Sequence, residues 1–428
     1  MVRVSGLFDS CVSFANLLLA AQKAFHGSGR THEACRWMFQ LESNLSALRS
    51  ELAESWYHPR PYRYFRICEP KERTVSVAAF CDRVIHHAVI NVLEPVFEKS
   101  FYAHSYATRK NKGTHRAVCL AQWHLQAARY YLKSDIEKYF DNIDHQILLE
   151  ELRRKIDDER MMELLRRIVS NSDTSRGTNE KRGLPIGNLT SQFLANVYLN
   201  RFDHFVVQGL GAKRYIRYMD DFVVFADRLE FLREVRESMR LYLERRLHIR
   251  LKDRATITNS RMNGLSFLGY RIFPSMIRLK RENVKRMRRK ISRREIDYTE
   301  GRISERKYCQ SLQSLFGYLQ FARTWKLRTK WLEQNGRRSR ETTSGSIEAA
   351  PGTTTPRTSA PRIATTTTPA TGTTTWVFVS RAHCVLGPAA STDSAGRREC
   401  PGRRSGIPEC LPESVSESNT TKEPGGCG

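Results

Sequence analysis

Apolar residues near the N-terminus recur at helical spacing, at Phe14, Leu17, Leu18, Ala21 and Phe25, until Gly27 and Gly29 interrupt them. That period predicts an amphipathic helix with a glycine stop. A second helical stretch runs through Leu45, Leu48 and Leu52. From 55 to 275, short β-rich runs alternate with amphipathic helices, the mark of an α+β core. The segment 276–335 reads as helical, with Val284, Met287 and Ile291 on one face. Four blocks are therefore expected: a helical extension (1–54), an α+β body (55–275), a helical block (276–335) and a tail (336–428).

The tail is a different material. Threonine runs at 353–355, 365–368 and 373–375 lie among scattered Pro, Gly, Ser and Cys. With few aliphatic residues and no period it cannot offset its ordering entropy, so disorder is expected.

Charge narrows the function. The chain has 71 basic and 45 acidic residues, a net charge of +26, and the first 339 residues hold 62 and 37 of them. Such an excess calls for a polyanionic partner, nucleic acid first. Ten of the seventeen residues from Arg278 to Arg294 are Lys or Arg, offset by Glu282 alone. That density is costly without phosphate nearby. No apolar run approaches the ~20 residues of a membrane span. Leu17 to Ala21 is too short for a secretory leader, so a cytoplasmic protein is expected. Ten cysteines without a C-x-x-C pair predict free thiols, not a zinc site or a disulfide framework.

The most informative run is Arg-Tyr-Ile-Arg-Tyr-Met-Asp-Asp-Phe-Val-Val-Phe-Ala, from Arg214 to Ala226. Apolar β-formers flank Asp220 and Asp221, predicting a hairpin with the acids at or just past its turn. A turn chosen for geometry alone favours Asn-Gly or Asp-Gly. Two adjacent carboxylates in an apolar hairpin repel unless a cation neutralises them. Mg2+ suits them, since it prefers carboxylate oxygens and shares its other positions with water and phosphate. A further acid, Asp135, ends the short β run that begins at Tyr130. Three carboxylates on two adjacent strands can hold two Mg2+ ions about 4 Å apart. Helix capping is the competing role for Asp135, Asp141 and Asp144.

Tyr218-Met219-Asp220-Asp221, with Asp135 upstream, resembles the palm of reverse transcriptases, and the order of other segments from about Tyr62 to Trp331 agrees. The resemblance implies a right-hand polymerase: fingers and palm over 55–275 and a basic thumb over 276–335. It implies two Mg2+ ions at Asp135, Ile136, Asp220 and Asp221, acting on template RNA, a DNA primer and dNTPs. Tyr64 to Val77 resembles the fingers hairpin, where Lys71 and Arg73 would clamp the triphosphate, Arg by a bidentate contact. A solvated turn is the alternative. Phe140, five residues after Asp135, matches an aromatic that excludes a 2′-hydroxyl; a core phenylalanine is its alternative. Arg83, Arg109 and Lys112 are expected on the template backbone, and Lys285, Arg286 and Arg289 on primer and template. Phe267-Leu268-Gly269-Tyr270 resembles the primer grip, with Gly269 letting the primer approach closely. The lysine common before that hairpin falls near Ala255, beside Lys252 and Arg254, so the acid that protonates pyrophosphate stays unassigned.

Between the acidic segments, Gly183-Leu-Pro-Ile-Gly-Asn-Leu-Thr-Ser-Gln192 precedes a helical run. The resemblance places Ile186, Gly187 and Gln192 against the incoming nucleotide. Ile186-Gly187 followed by Ser191-Gln192, with Met219, is similar to the reverse transcriptases of diversity-generating retroelements. Group II intron enzymes usually carry Pro-Gln-Gly and Ala at these places. That likeness implies errors opposite template adenines through Ile186, a template-repeat RNA and a small basic oligomeric accessory protein. The threonine runs fit it too, because ACA codons shifted by one frame read as AAC, so the frame would run on into adenine-rich template DNA. The rivals are another bacterial class (group II intron, retron or phage-defence) and an idle RNA-binding scaffold, which three intact acids oppose.

Overall fold

The computed structural model describes residues 3–28, 31–68, 72–171, 181–252 and 256–331, with 362–367 and 374–379. Four helices lead the chain: α1 (Leu7–Val12), α2 (Phe14–Gly27), α3 (His32–Phe39) and α4 (Leu41–Ala53). α2 lies where its apolar period places it, capped by Ser13, whose hydroxyl accepts from the Asn16 N–H at 3.3 Å. Its buried stripe of Leu17, Ala20, Ala21 and Ala24 packs on the long α5 (Phe80–Glu98). α1 and α3 are not evident from periodicity. Tertiary contacts hold α1, where the Phe8 N–H donates to Asp158 at 2.8 Å.

Strands β1 (Arg63–Ile67) and β2 (Arg73–Val77) form an antiparallel hairpin between α4 and α5. The centre of the molecule is a four-stranded antiparallel sheet in the order β4-β5-β3-β6: β3 (Tyr130–Asp135), β4 (Tyr215–Tyr218), β5 (Asp221–Ala226) and β6 (Thr256–Asn259). Its alternation is apolar on both faces. Leu132, Phe222 and Val224 join the core built with α10 (Leu189–His204) and α11 (Leu229–Leu247). Tyr131, Val223 and Phe225 face the opposite way, toward α6 (Thr114–Ala127). The short α7 (Tyr139–Asn142), α8 (His145–Arg153) and α9 (Glu159–Ser170) follow β3.

After α12 (Ser260–Asn263), strands β7 (Leu265–Phe267), β8 (Tyr270–Ile272) and β9 (Ile277–Leu279) make a second antiparallel sheet, and α13 (Arg281–Thr299) and α14 (Glu305–Gln320) follow. Here the structure corrects the expectation of a wholly helical 276–335. Ile277 and Leu279 alternate inward against Ile272 and Tyr270, so the chain is strand until Leu279 and helix only from Arg281. α13 buries Met287 and Ile291, as its stripe predicts.

Two short segments of the tail are described. Arg362–Thr367 (β10) and Thr374–Val379 (β11) pair in a two-stranded sheet. Their threonines and the Val377-Phe378-Val379 run are strong β-formers. The rest of 336–428 lies outside the described residues. Among the described residues no helix is long and apolar enough to cross a membrane, and no cysteine is in a disulfide.

Candidate active site

Register brings the acids together. β3 and β5 pair so that Asp135 stands directly opposite Asp221, and the β4–β5 hairpin closes with Tyr218 opposite Asp221. Met219 and Asp220 form its two-residue turn. Met219 sits at φ 57°, a left-handed conformation that costs a non-glycine residue about 1 kcal/mol or more. Arg217 holds that turn. Its guanidinium is fully buried and donates to the Met219 carbonyl at 3.0 Å, to Asn196 Oδ1 at 3.1 Å and to Asp203 at 2.6 and 2.7 Å. Burial alone would depress its pKa, but Asp203 overrides this and raises it, so the charge is kept. Tyr215 donates to the same Asp203 at 2.8 Å. α10 therefore anchors the turn through two of its polar residues.

The carboxylates crowd one another. Burial, then the neighbouring Asp135, pushes Asp220 up to about 7. Burial also raises Asp221, with Lys133 pulling the other way. Asp135 Oδ1 is buried with no hydrogen-bond partner. Lys252 donates to Asp135 Oδ2, and Lys133 lies 3.4 Å from Asp221 Oδ1. Among the described residues, no group of three or more His, Cys, Asp or Glu side chains is placed to hold a metal ion. An oxygen-only donor set with one orphaned oxygen nevertheless fits Mg2+, which binds through one or two carboxylates plus water and phosphate. Ile136 is wholly buried and bridges to Leu251, and its hydrocarbon side chain offers no donor to a metal. Asp144 is the helix cap among the candidate acids, accepting from Gln146 and Ile147 at the start of α8.

The glycine-bracketed loop docks on the hairpin. The Ser76 N–H of β2 donates to the Ile186 carbonyl at 2.8 Å. A Cβ on Gly187, at φ 114°, would lie 2.6 Å from Val75, so only glycine allows this approach. At its other end Leu184 donates to the Phe140 carbonyl at 2.7 Å. Phe140 is half-buried and edge-on to Tyr139, one turn after Asp135. The structure thus joins β2, the loop and α7 around the end of β3. Gln192 is half-buried on the first turn of α10, and Arg73 is exposed at the start of β2. Lys71 lies outside the described residues.

Other expected contacts fall elsewhere. Arg109 is turned inward, its side chain 5% exposed, bound to Glu98 at 2.7 Å and to the Tyr102 and Ser105 carbonyls. This corrects its expected place on the template backbone, because all its donors face protein. Lys112 donates to the Ala103 carbonyl at 2.8 Å and lies over Tyr106. Arg83 leans on Phe80 and lines a cleft of about 710 Å³ with Arg36, Trp37 and Arg63. Phe267 is buried in the second sheet, so its side chain cannot reach a primer. Leu268 and Gly269, both at positive φ, form the two-residue β7–β8 turn. A Cβ on Gly269 would meet Asn283 at 2.8 Å and Tyr318 at 3.0 Å. Its close approach is therefore to α13 and α14, which corrects the expected approach of a primer. Lys285 and Arg289 are exposed on α13, while Arg286 is half-buried and donates to Asn283 at 3.1 Å.

Sequence reasoning misses Arg217, Asp203 and Lys133, and names Lys252 without a role. An arginine inside an apolar β run is the available signal for the first. For Lys133 the signal is its i, i+2 spacing to Asp135, while the pairing that brings Lys252 to Asp135 is non-local.

Against known proteins, residues 69–272 match the family described as reverse transcriptase (RNA-dependent DNA polymerase). Protein YkfC of Escherichia coli (strain K12) is 28% identical over 274 residues, 54% of this chain and 72% of its own length. The group II intron-encoded protein LtrA of Lactococcus lactis subsp. cremoris is 30% identical over 172 residues, 39% of this chain but 29% of its own. A solved structure of telomerase from Candida albicans, in complex with a fragment of telomeric RNA, aligns over 53% of this chain and 48% of that one, with TM-score 0.41 and 12% identity. Over residues 69–272 the chain thus carries the reverse transcriptase domain of an RNA-directed DNA polymerase.

Proposed function

We propose that Asp135, Asp220 and Asp221 are the catalytic carboxylates, and that the chain extends a DNA primer on an RNA template by two-metal nucleotidyl transfer. One observation carries this: Asp135 opposite Asp221 in register, with Asp220 in the adjoining turn. Bound there, two Mg2+ ions would acidify the primer 3′-hydroxyl and neutralise the departing pyrophosphate. The chain's own residues do the positioning. Lys71 and Arg73 hold the triphosphate, Ile186, Gly187 and Gln192 lie under the base and sugar, and Phe140 blocks a 2′-hydroxyl by bulk. Lys285, Arg286 and Arg289 line the path of the primer–template duplex.

The test is primer extension on an RNA template. Extension that needs Mg2+ and stops on chelation supports the reading; RNA binding without extension leaves the idle scaffold. The finer assignment, a diversity-generating retroelement enzyme working with a template-repeat RNA and a basic accessory protein, rests on the Ile186 to Gln192 segment. The likeness to an intron-encoded protein favours an intron-type enzyme instead. Sequencing the products separates them, since errors concentrated opposite adenines fit the first and accurate copies the second.

Two further outcomes are expected. Phe140→Ala should raise ribonucleotide incorporation roughly tenfold or more, scored by alkali-labile products, because a lost steric contact is worth about that much discrimination. The Mg2+ requirement should also depend on pH. With Asp220 pushed up to about 7, a proton competes with the metal below that value and is absent above it. Half-saturating Mg2+ should therefore rise roughly tenfold between about pH 8 and about pH 6 in titrations of extension rate.

A further inference from the structure

Two lysines stand where cations belong. Lys133 precedes Asp135 by two residues on β3, so the pleat puts both side chains on one face of the sheet. Its Nζ lies 3.4 Å from Asp221 Oδ1. Lys252 comes from the other flank: its backbone N–H donates to the Asp135 carbonyl at 2.9 Å, and its ammonium donates to Asp135 Oδ2. Lys280 adds a weaker pull on Asp221. Asp135 Oδ1 remains buried and unpartnered.

We propose that Lys133 and Lys252 are the counter-ions of the metal-free site, and that divalent ions bind by displacing them. This rests on the reading that the three acids are metal ligands. Three ionised carboxylates this close and half-buried need positive charge whether or not metal is present. An ammonium on a four-carbon stem supplies that charge reversibly, since it can swing away without disturbing the backbone. Mg2+ carries twice the charge and coordinates the oxygens directly. Each lysine therefore opposes the metal while protecting the metal-free fold, and the pair tunes how much divalent ion the enzyme requires.

Calorimetric titration of the full chain with MnCl2 near pH 8, without nucleic acid, tests this in wild type, Lys133→Met, Lys252→Met and Asp220→Asn. The lysine variants should bind Mn2+ roughly tenfold more tightly, the scale on which one neighbouring charge acts. They should also melt lower than wild type without the ion and gain more from adding it. Lys252→Arg keeps the charge and should stay near wild-type affinity, and Lys252→Gln serves where the methionine variant fails to fold. Unchanged or weaker binding in the lysine variants, with binding lost in Asp220→Asn, overturns the displacement and spares the metal site. Equal binding in all four proteins overturns the metal-ligand reading itself.

Discussion

Asp220→Asn is expected to abolish primer extension while making the metal-free protein more resistant to heat. Loss of activity follows from the proposed role: an amide lacks the charge that holds a divalent ion, and removing such electrostatic stabilisation costs roughly a thousandfold or more. The gain in stability follows from the crowding. Burial and Asp135 raise the Asp220 carboxyl to about 7, so the folded chain holds its proton more tightly than the unfolded chain does. The sign is therefore the reverse of a salt-bridged acid. The contribution of Asp220 to stability is greatest below its unfolded value and is lost as pH rises toward about 7. Near pH 8 the ionised group is a liability, and replacing it should return about 2 kcal/mol, a few degrees in a thermal melt without Mg2+. The gain should shrink near pH 5, where Asp220 is already protonated. An Asp220→Asn protein that extends primers within tenfold of wild type would remove Asp220 from the catalytic set.

Arg217→Met is expected to be the most damaging single change away from the carboxylates. It strands Asp203 in a site where both side chains are fully buried, and breaking such a pair by removing one partner costs about 3–5 kcal/mol. It also releases the Met219 carbonyl, and with it the left-handed turn that carries Asp220. The two effects separate in a double variant. Arg217→Met with Asp203→Leu removes both charges, and apolar replacement of a whole buried pair is often neutral, so the melting temperature should return most of the way. Extension should not return, because nothing then grips Met219. Recovery of activity together with stability would show that the pair serves the fold alone.

Part of the fold and of the site is legible in local patterns. The 3.6-residue period of Phe14 to Phe25 and the apolar run around Asp220 are such patterns, and α2 and the β4–β5 hairpin follow them. β9 reads as helix because Ile277 and Leu279 sit beside the densest basic helix of the chain, and three residues are too few for a period to show. Arg109 carries a charge that suits a phosphate, yet Glu98, eleven residues upstream, claims it once α5 and the following loop meet.

The sequence alone determined which residues bear the charge and where the acids sit along the chain: two carboxylates between apolar strands and a third at the end of another. Residue type and period are one-dimensional properties, and they suffice for that. Only the tertiary structure decided what meets what. Antiparallel pairing sets Asp135 against Asp221 and brings Lys252 to Asp135, helix packing buries Arg217 on Asp203, and loop docking presses Gly187 onto Val75. Those partners lie 14 to 117 residues apart, and no local pattern encodes pairing over such distances because their closure depends on the packing of the whole core.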